Sequence, residues 1–77
     1  MTIKLIWDFK GEDALQTAKH HEIHLKEFVE REKIPSSIVG VEEVHALHSM
    51  AFMTVSKEKV YEVRDALRPH RAFVMEE

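Results

Sequence analysis

Histidine is the residue type that stands out, because six of the 77 residues are histidine. His20 and His24 are four residues apart, and Glu27 follows three residues later. In a helix these three side chains lie on one side. Two imidazole nitrogens and a carboxylate oxygen can bind a divalent metal ion. The spacing therefore predicts a candidate metal site at His20, His24 and Glu27. The alternative is that the three side chains lie on a solvated helix face and bind no metal.

Three arginines near the end of the chain, Arg64, Arg68 and Arg71, form its one basic cluster. Arg64 and Arg68 are four residues apart, where the sequence predicts the end of a helix. Cations are favoured at a helix C-terminus, and this is sufficient to explain both residues. Guanidinium groups also bind carboxylates and phosphates in pairs of hydrogen bonds. We therefore keep the three arginines as a candidate anion site.

The remaining histidines give no catalytic pattern. His21 is placed at the edge of an apolar helix stripe, where we expect it to pack and to bond a carbonyl or a carboxylate. His45 and His48 flank a predicted turn, and His70 opens the last strand. The sequence has no Ser-His-Asp order, no glycine-rich phosphate loop and no HExxH motif. We assign no catalytic residue.

Hydrophobic periodicity predicts the elements that position these side chains. Alternating apolar residues predict a strand over 3–9, and a 3.6-residue period predicts a helix over 13–33, which Pro35 should end. Two β-rich runs follow, with a turn at His45–His48 that has no typical turn motif. Gly40 is a candidate bulge position, and Ser56 a candidate N-cap. The remaining predicted elements are strands over 38–44 and 49–55, a helix over 56–68 and a strand over 70–75.

The element order β-α-β-β-α-β predicts an α+β protein with the ferredoxin-like fold, as a single domain over 1–77. In this fold a four-stranded antiparallel sheet carries both helices on one face. Right-handed crossovers place the first and third strands in the centre of the sheet.

Composition excludes several classes of protein. The chain has no cysteine, so it has neither a disulfide nor a thiolate metal site. The net charge of -3 gives no reason to expect nucleic-acid binding. The longest plainly apolar run, residues 50–53, is too short to cross a membrane, and the first residues do not resemble a signal peptide. We expect a cytosolic protein that has no membrane partner. Apart from the candidate divalent metal ion, we expect no cofactor.

Three segments resemble the small dimeric α+β barrel proteins. These segments are Lys4-Leu5-Ile6-Trp7-Asp8-Phe9, His20-His21-Glu22-Ile23-His24-Leu25 and Ala51-Phe52-Met53-Thr54-Val55. That superfamily includes monooxygenase-like and YCII-related members, and it pairs two ferredoxin-like sheets face to face. The resemblance implies a homodimer and assigns no site residue.

The third strand is apolar on both faces, which suggests an interface. The helices cover one face of the sheet, so apolar side chains on the other face need a cover. We expect a homodimer through the sheet, with Met50, Phe52 and Met53 as candidate interface residues. The strand register is open, so either Met50 and Phe52 or Met53 and its neighbours point outward.

The sequence thus favours a small homodimeric binding or interaction module whose ligand it does not identify. One alternative is a metal-binding protein that uses surface histidines. The other is a small enzyme of the dimeric-barrel type with a histidine as acid or base.

Overall fold

A computed structural model describes residues 2–35 and 37–75. All six predicted elements are present, with bounds within a few residues of those expected. In chain order they are β1 (Thr2–Lys10), α1 (Ala14–Glu32), β2 (Val39–His45), β3 (His48–Ser56), α2 (Val60–Leu67) and β4 (Arg71–Met75).

The four strands form one sheet in the order β2-β3-β1-β4, and each neighbouring pair is antiparallel. The βαββαβ order with β1 and β3 in the centre confirms the predicted α+β, ferredoxin-like fold. β1 and β3 pair along their whole length, from Thr2 opposite Ser56 to Lys10 opposite His48. Leu5 therefore lies opposite Met53, and Ile6 lies opposite Phe52.

The hydrophobic core lies between one face of the sheet and the two helices. Because side chains alternate along a strand, the odd-numbered residues of β1 and β3 share this face. Both helices contribute to the same cluster, so they lie on the same side of the sheet. The buried members are Leu5, Trp7, Leu25, Ile34, Ala51, Met53, Val55, Val60 and Val63. We call the opposite side of the sheet the open face.

Both helices end on a residue with left-handed backbone conformation that is not glycine. Lys33 has φ 53° after α1, and Arg68 has φ 47° after α2. Pro35 follows the first of these, and Pro69 follows the second. Proline disfavours helical geometry in the residue before it, so both helices stop where the sequence predicted.

The start of α2 differs from the prediction. Ser56 is the last residue of β3 and not an N-cap, because a turn over 57–59 separates it from α2. The backbone N–H of Lys59 donates to the Ser56 carbonyl at 3.1 Å and closes this turn. The helix therefore begins only at Val60 and has eight residues.

The bulge in the β2–β3 hairpin lies between Glu43 and His45, and not at Gly40 as predicted. Gly40 pairs regularly with Phe52, and the Phe52 ring lies over it. A Cβ atom on residue 40 would come within 2.7 Å of Cζ of Phe52. A larger residue at position 40 would have to displace this ring, so Gly40 provides space for Phe52 and does not form a bulge.

Among the described residues no helix combines the length and the apolar character that crossing a bilayer requires.

Candidate functional site

A polar network at one end of the open face is centred on the Asp8 carboxylate. Nε of Arg71 donates to Oδ2 of Asp8, and Nη2 donates to Oδ1, both at 2.7 Å. Nε2 of His48 lies 2.8 Å from the same Oδ1. The Arg71 hydrogen bonds lower the pKa of Asp8 below its ordinary value. Burial opposes them with a smaller effect, and the His48 hydrogen bond adds to the lowering. The network joins β1, β3 and β4 through side chains.

Long cationic side chains lie across the aromatic rings of the open face. Nζ of Lys4 is 4.5 Å from the centre of the Phe52 ring, and the Arg71 guanidinium is 5.6 Å from that of Phe73. Nη2 of Arg71 also lies 3.0 Å from the sulfur of Met50. Ile6 is only 4% exposed and Met50 only 8%, although no helix lies above them.

The apolar surface that remains on the open face is concentrated on the edge strand β4. Phe73 is 49% exposed and Met75 is 43% exposed, whereas Phe52, on the other side of β1, is half-buried. The register shows which side of β3 points outward: Met50 and Phe52 do, whereas Met53 is fully buried against the helices. Of the three candidate interface residues, only Met50 and Phe52 therefore lie on the open face.

Two further histidines have defined hydrogen bonds near the network. The backbone N–H of Asp8 donates to Nδ1 of His70 at 2.9 Å, which fixes the side chain of His70 beside β1. The backbone N–H of Leu47 donates to Nδ1 of His45 at 3.2 Å, in the turn between β2 and β3. The ring centres of His45 and His48 are 5.7 Å apart.

The three candidate metal ligands lie together on the exposed side of α1, but they do not all face one point. Nε2 of His20 and Nε2 of His24 are 3.1 Å apart. Glu27 approaches the other ring nitrogen, with Oε1 3.4 Å from Nδ1 of His24. Glu27 is therefore placed to orient His24 and not to bind the same ion. Across residues 2–35 and 37–75, no three His, Asp or Glu side chains converge as a metal-binding group.

His21 is packed against the aromatic residues of β1, as its position on the helix predicted. Its ring centre lies 5.0 Å from that of Trp7 and 5.5 Å from that of Phe9. The expected hydrogen bond to a carbonyl or carboxylate is missing at Nε2, which is buried and has no partner among the described residues. Burial lowers the pKa of His21 below its ordinary value of 6.5, and the neighbouring His24, His70 and His20 act in the same direction.

A groove of about 370 Å³ lies between α2 and β4, on the helix side of the sheet. It exists because α2 has only eight residues and packs near β3, while α1 crosses β1, β2 and β3. The edge strand β4 is thus left uncovered, and Val74 is 57% exposed. No pattern in the sequence indicated this groove, since it depends on where a short helix lies.

The three candidate anion-binding arginines have different surroundings. Asp8 holds the guanidinium of Arg71 on the open face. Arg64 lies at the groove, with its guanidinium 4.9 Å from the centre of the Tyr61 ring. Arg68 is exposed at the end of α2. Arg64 is therefore the arginine whose charge is best placed to meet a ligand in the groove.

Comparison with known proteins gives no match: no family model, no curated protein and no solved structure matches this chain. Its function is therefore inferred from the geometry of the chain itself.

We expect the stability of the protein to fall when the pH drops below about 6.5, because the folded chain keeps His21 neutral whereas the unfolded chain protonates it near 6.5. Below that pH unfolding takes up a proton. The free energy of unfolding should decrease by up to about 1.4 kcal/mol per pH unit until the folded pKa is reached. Urea denaturation at a series of pH values measures this slope.

The variant His21→Phe keeps a ring between Trp7 and Phe9 but cannot titrate, so it should show a shallower slope below pH 6.5. His45→Gln, which removes an exposed histidine that does not contribute to the pKa of His21, should retain the slope of the wild type. Equal slopes in wild type and His21→Phe would contradict this role of His21.

Proposed function

We propose that this chain is a cytosolic homodimeric binding module whose two copies associate through the open faces of their sheets. The observation that carries the proposal is the exposed apolar surface of Phe73 and Met75, on a sheet face that has no helix above it and that also carries Phe52. Exposed apolar surface of this kind is typical of protein–protein contacts.

The size of the open face fits association of moderate strength. Four strands at about 4.8 Å spacing and about seven residues at about 3.3 Å each give a flat area of roughly 450 Å². Protruding side chains enlarge the accessible area toward the roughly 800 Å² per partner of a standard interface. A chain of 77 residues has a small core, so additional burial in a dimer contributes strongly to its stability.

The charges on the open face are compatible with pairing of two copies. The face carries both signs, with Lys4 and Arg71 against Asp8 and Glu42. Arg71 is already neutralised by Asp8 in the same chain. Two identical faces can therefore meet about a two-fold axis without a block of like charges.

The resemblance to dimeric α+β barrel proteins supports the same arrangement, because those proteins pair ferredoxin-like sheets face to face. In this chain the open face has the apolar side chains that such pairing would bury.

Sedimentation equilibrium at micromolar concentration tests the proposal. We expect twice the subunit mass of 9.0 kDa for the wild type. Phe73→Glu should give a folded monomer, because it places two charges in the interface of the dimer. Met53→Glu should instead unfold the chain, because Met53 is fully buried in the core.

Ile23→Glu is the matched control, since it also places a charge at an exposed apolar position, but on α1. It should leave the dimer intact. A wild-type mass of one subunit at all concentrations would refute the proposal, and so would dissociation by Ile23→Glu but not by Phe73→Glu.

A second candidate function, favoured by the 3.1 Å separation of the two Nε2 atoms, is binding of a divalent metal by His20 and His24. At metal–nitrogen bonds of about 2.1 Å this separation corresponds to an angle of about 95° at the metal. An angle close to 90° suits the square-planar or octahedral coordination of Cu²⁺ and Ni²⁺. The ion would replace the proton that the two rings share.

If the pair binds metal, Ni²⁺ should raise the melting temperature at pH 7.5, and His24→Ala should abolish the increase. Glu27→Gln should weaken the effect without removing it, because Glu27 contacts only Nδ1 of His24.

His45→Ala, which removes an exposed histidine elsewhere, serves as the control and should respond like the wild type. No nickel-dependent shift in the wild type, measured by calorimetry, would rule out this second candidate.

An acid–base enzyme has less support from the geometry. His48 does have a carboxylate beside it, since Asp8 lies 2.8 Å away. The groove, however, lies on the helix side of the sheet, whereas these two side chains lie on the open face. A general base must be within hydrogen-bond reach of a bound substrate, and no enclosed space is described next to His48.

A further inference from the structure

The groove between α2 and β4 has apolar walls and a cation at its rim. Ile3 and Leu5 of β1 line it with Ala72 and Val74 of β4, and Val60 lines it from α2. Tyr61 and Arg64 stand at the α2 side of the groove. An apolar cleft with a small number of placed polar groups is the usual form of a small-molecule site.

Arg64 is positioned by the residues around it. Its guanidinium stacks on the Tyr61 ring at 4.9 Å, one turn earlier on α2. Its other contact is with Asp65, where Nη2 lies 3.4 Å from Oδ1, and the Asp65 side chain is 74% exposed. A contact of that length with an exposed side chain is weak, so the cation can still bind an incoming anion.

We propose that the groove binds a small amphipathic carboxylate, with its apolar chain along β4 and its carboxylate on Arg64. The inference rests on the proposed binding function, for which it names the class of ligand, and not on the dimer. Apolar walls alone would fit many occupants. The cation at the rim selects an anionic head group, and the Tyr61 hydroxyl offers it another donor.

The volume of the groove limits the size of the ligand. Since one water occupies about 30 Å³ in the liquid, about 370 Å³ holds roughly ten non-hydrogen atoms. Octanoate has this size and this division between an apolar chain and an anionic end, so it is the probe for the test. 1-Octanol has a chain of the same length without the charge and is the matched neutral probe.

The experiment is a titration of the ¹⁵N-labelled full chain with each probe, followed by amide chemical shifts. With octanoate, the largest shifts should fall on Ala72–Val74 and on Tyr61–Arg64. Arg64→Gln should weaken octanoate binding about fivefold or more and leave 1-octanol binding unchanged. Ala72→Leu, which adds bulk inside the groove, should weaken both probes.

Arg31→Gln is a closely matched control. Arg31 also stacks on an aromatic ring, that of Phe28 at 5.4 Å, and also contacts the next residue, Glu32 at 3.2 Å. It lies on α1, away from the groove, so its replacement should change neither titration.

The proposal is overturned if octanoate causes no shifts in the groove, or if Arg64→Gln and Arg31→Gln reduce its affinity equally. It is also overturned if the β4 shifts depend on protein concentration alone, because they then report association of two copies and not binding of octanoate. Sedimentation of the same samples reports the dimer independently. If the chain sediments as a dimer but octanoate causes no amide shifts, only the groove proposal is overturned. If octanoate causes amide shifts but the chain sediments as a monomer, only the homodimer proposal is overturned.

Discussion

Both helices pack on the same face of a single four-stranded sheet, and most other features of the structure follow from this constraint. Every second side chain of β1 and β3 is buried under α1 and α2, and the alternate side chains are left without a helix above them. The chain covers much of that face with its own side chains. Lys4 lies over Phe52, Phe52 lies over Gly40, and Asp8 holds Arg71 across the sheet.

Two regions of the sheet remain only partly covered by side chains, and both involve β4. On the open face, Phe73 and Met75 remain 49% and 43% exposed, although the Arg71 guanidinium lies 5.6 Å from the centre of the Phe73 ring. On the helix side, the short α2 leaves Ala72 and Val74 at the groove. The edge strand β4 is therefore where we propose contact with a second copy on one side and ligand binding on the other. Because the two regions lie on opposite faces, occupation of one does not block the other.

Local patterns were sufficient to predict the elements and the fold, because periodicity and proline positions act over a few residues. The His20–His24 contact was predictable for the same reason, since it depends only on helical spacing. The register of β3 was not predictable, because Ala46 and Leu47 carry no turn signature. Without the register, neither the outward position of Phe52 nor the burial of Met53 could be decided.

The Asp8 network and the groove depend on contacts between residues far apart in sequence. Asp8 and Arg71 are 63 positions apart and meet only because β4 pairs beside β1. The sequence did show that Asp8 is on the face of β1 opposite Leu5 and Trp7, but it did not show its partners. Gly40 and Ser56 were misjudged because their roles depend on a ring from the next strand and on the length of a turn.

The central claim is that two copies meet through the open face, and an isotope-filtered NOE experiment tests it most directly. A mixture of ¹³C-labelled and unlabelled chains shows only contacts between subunits. The account predicts intersubunit signals from the rings of Phe52 and Phe73 and the methyl group of Met75. Intersubunit signals confined to α1 or α2, or none at concentrations well above micromolar, would contradict it.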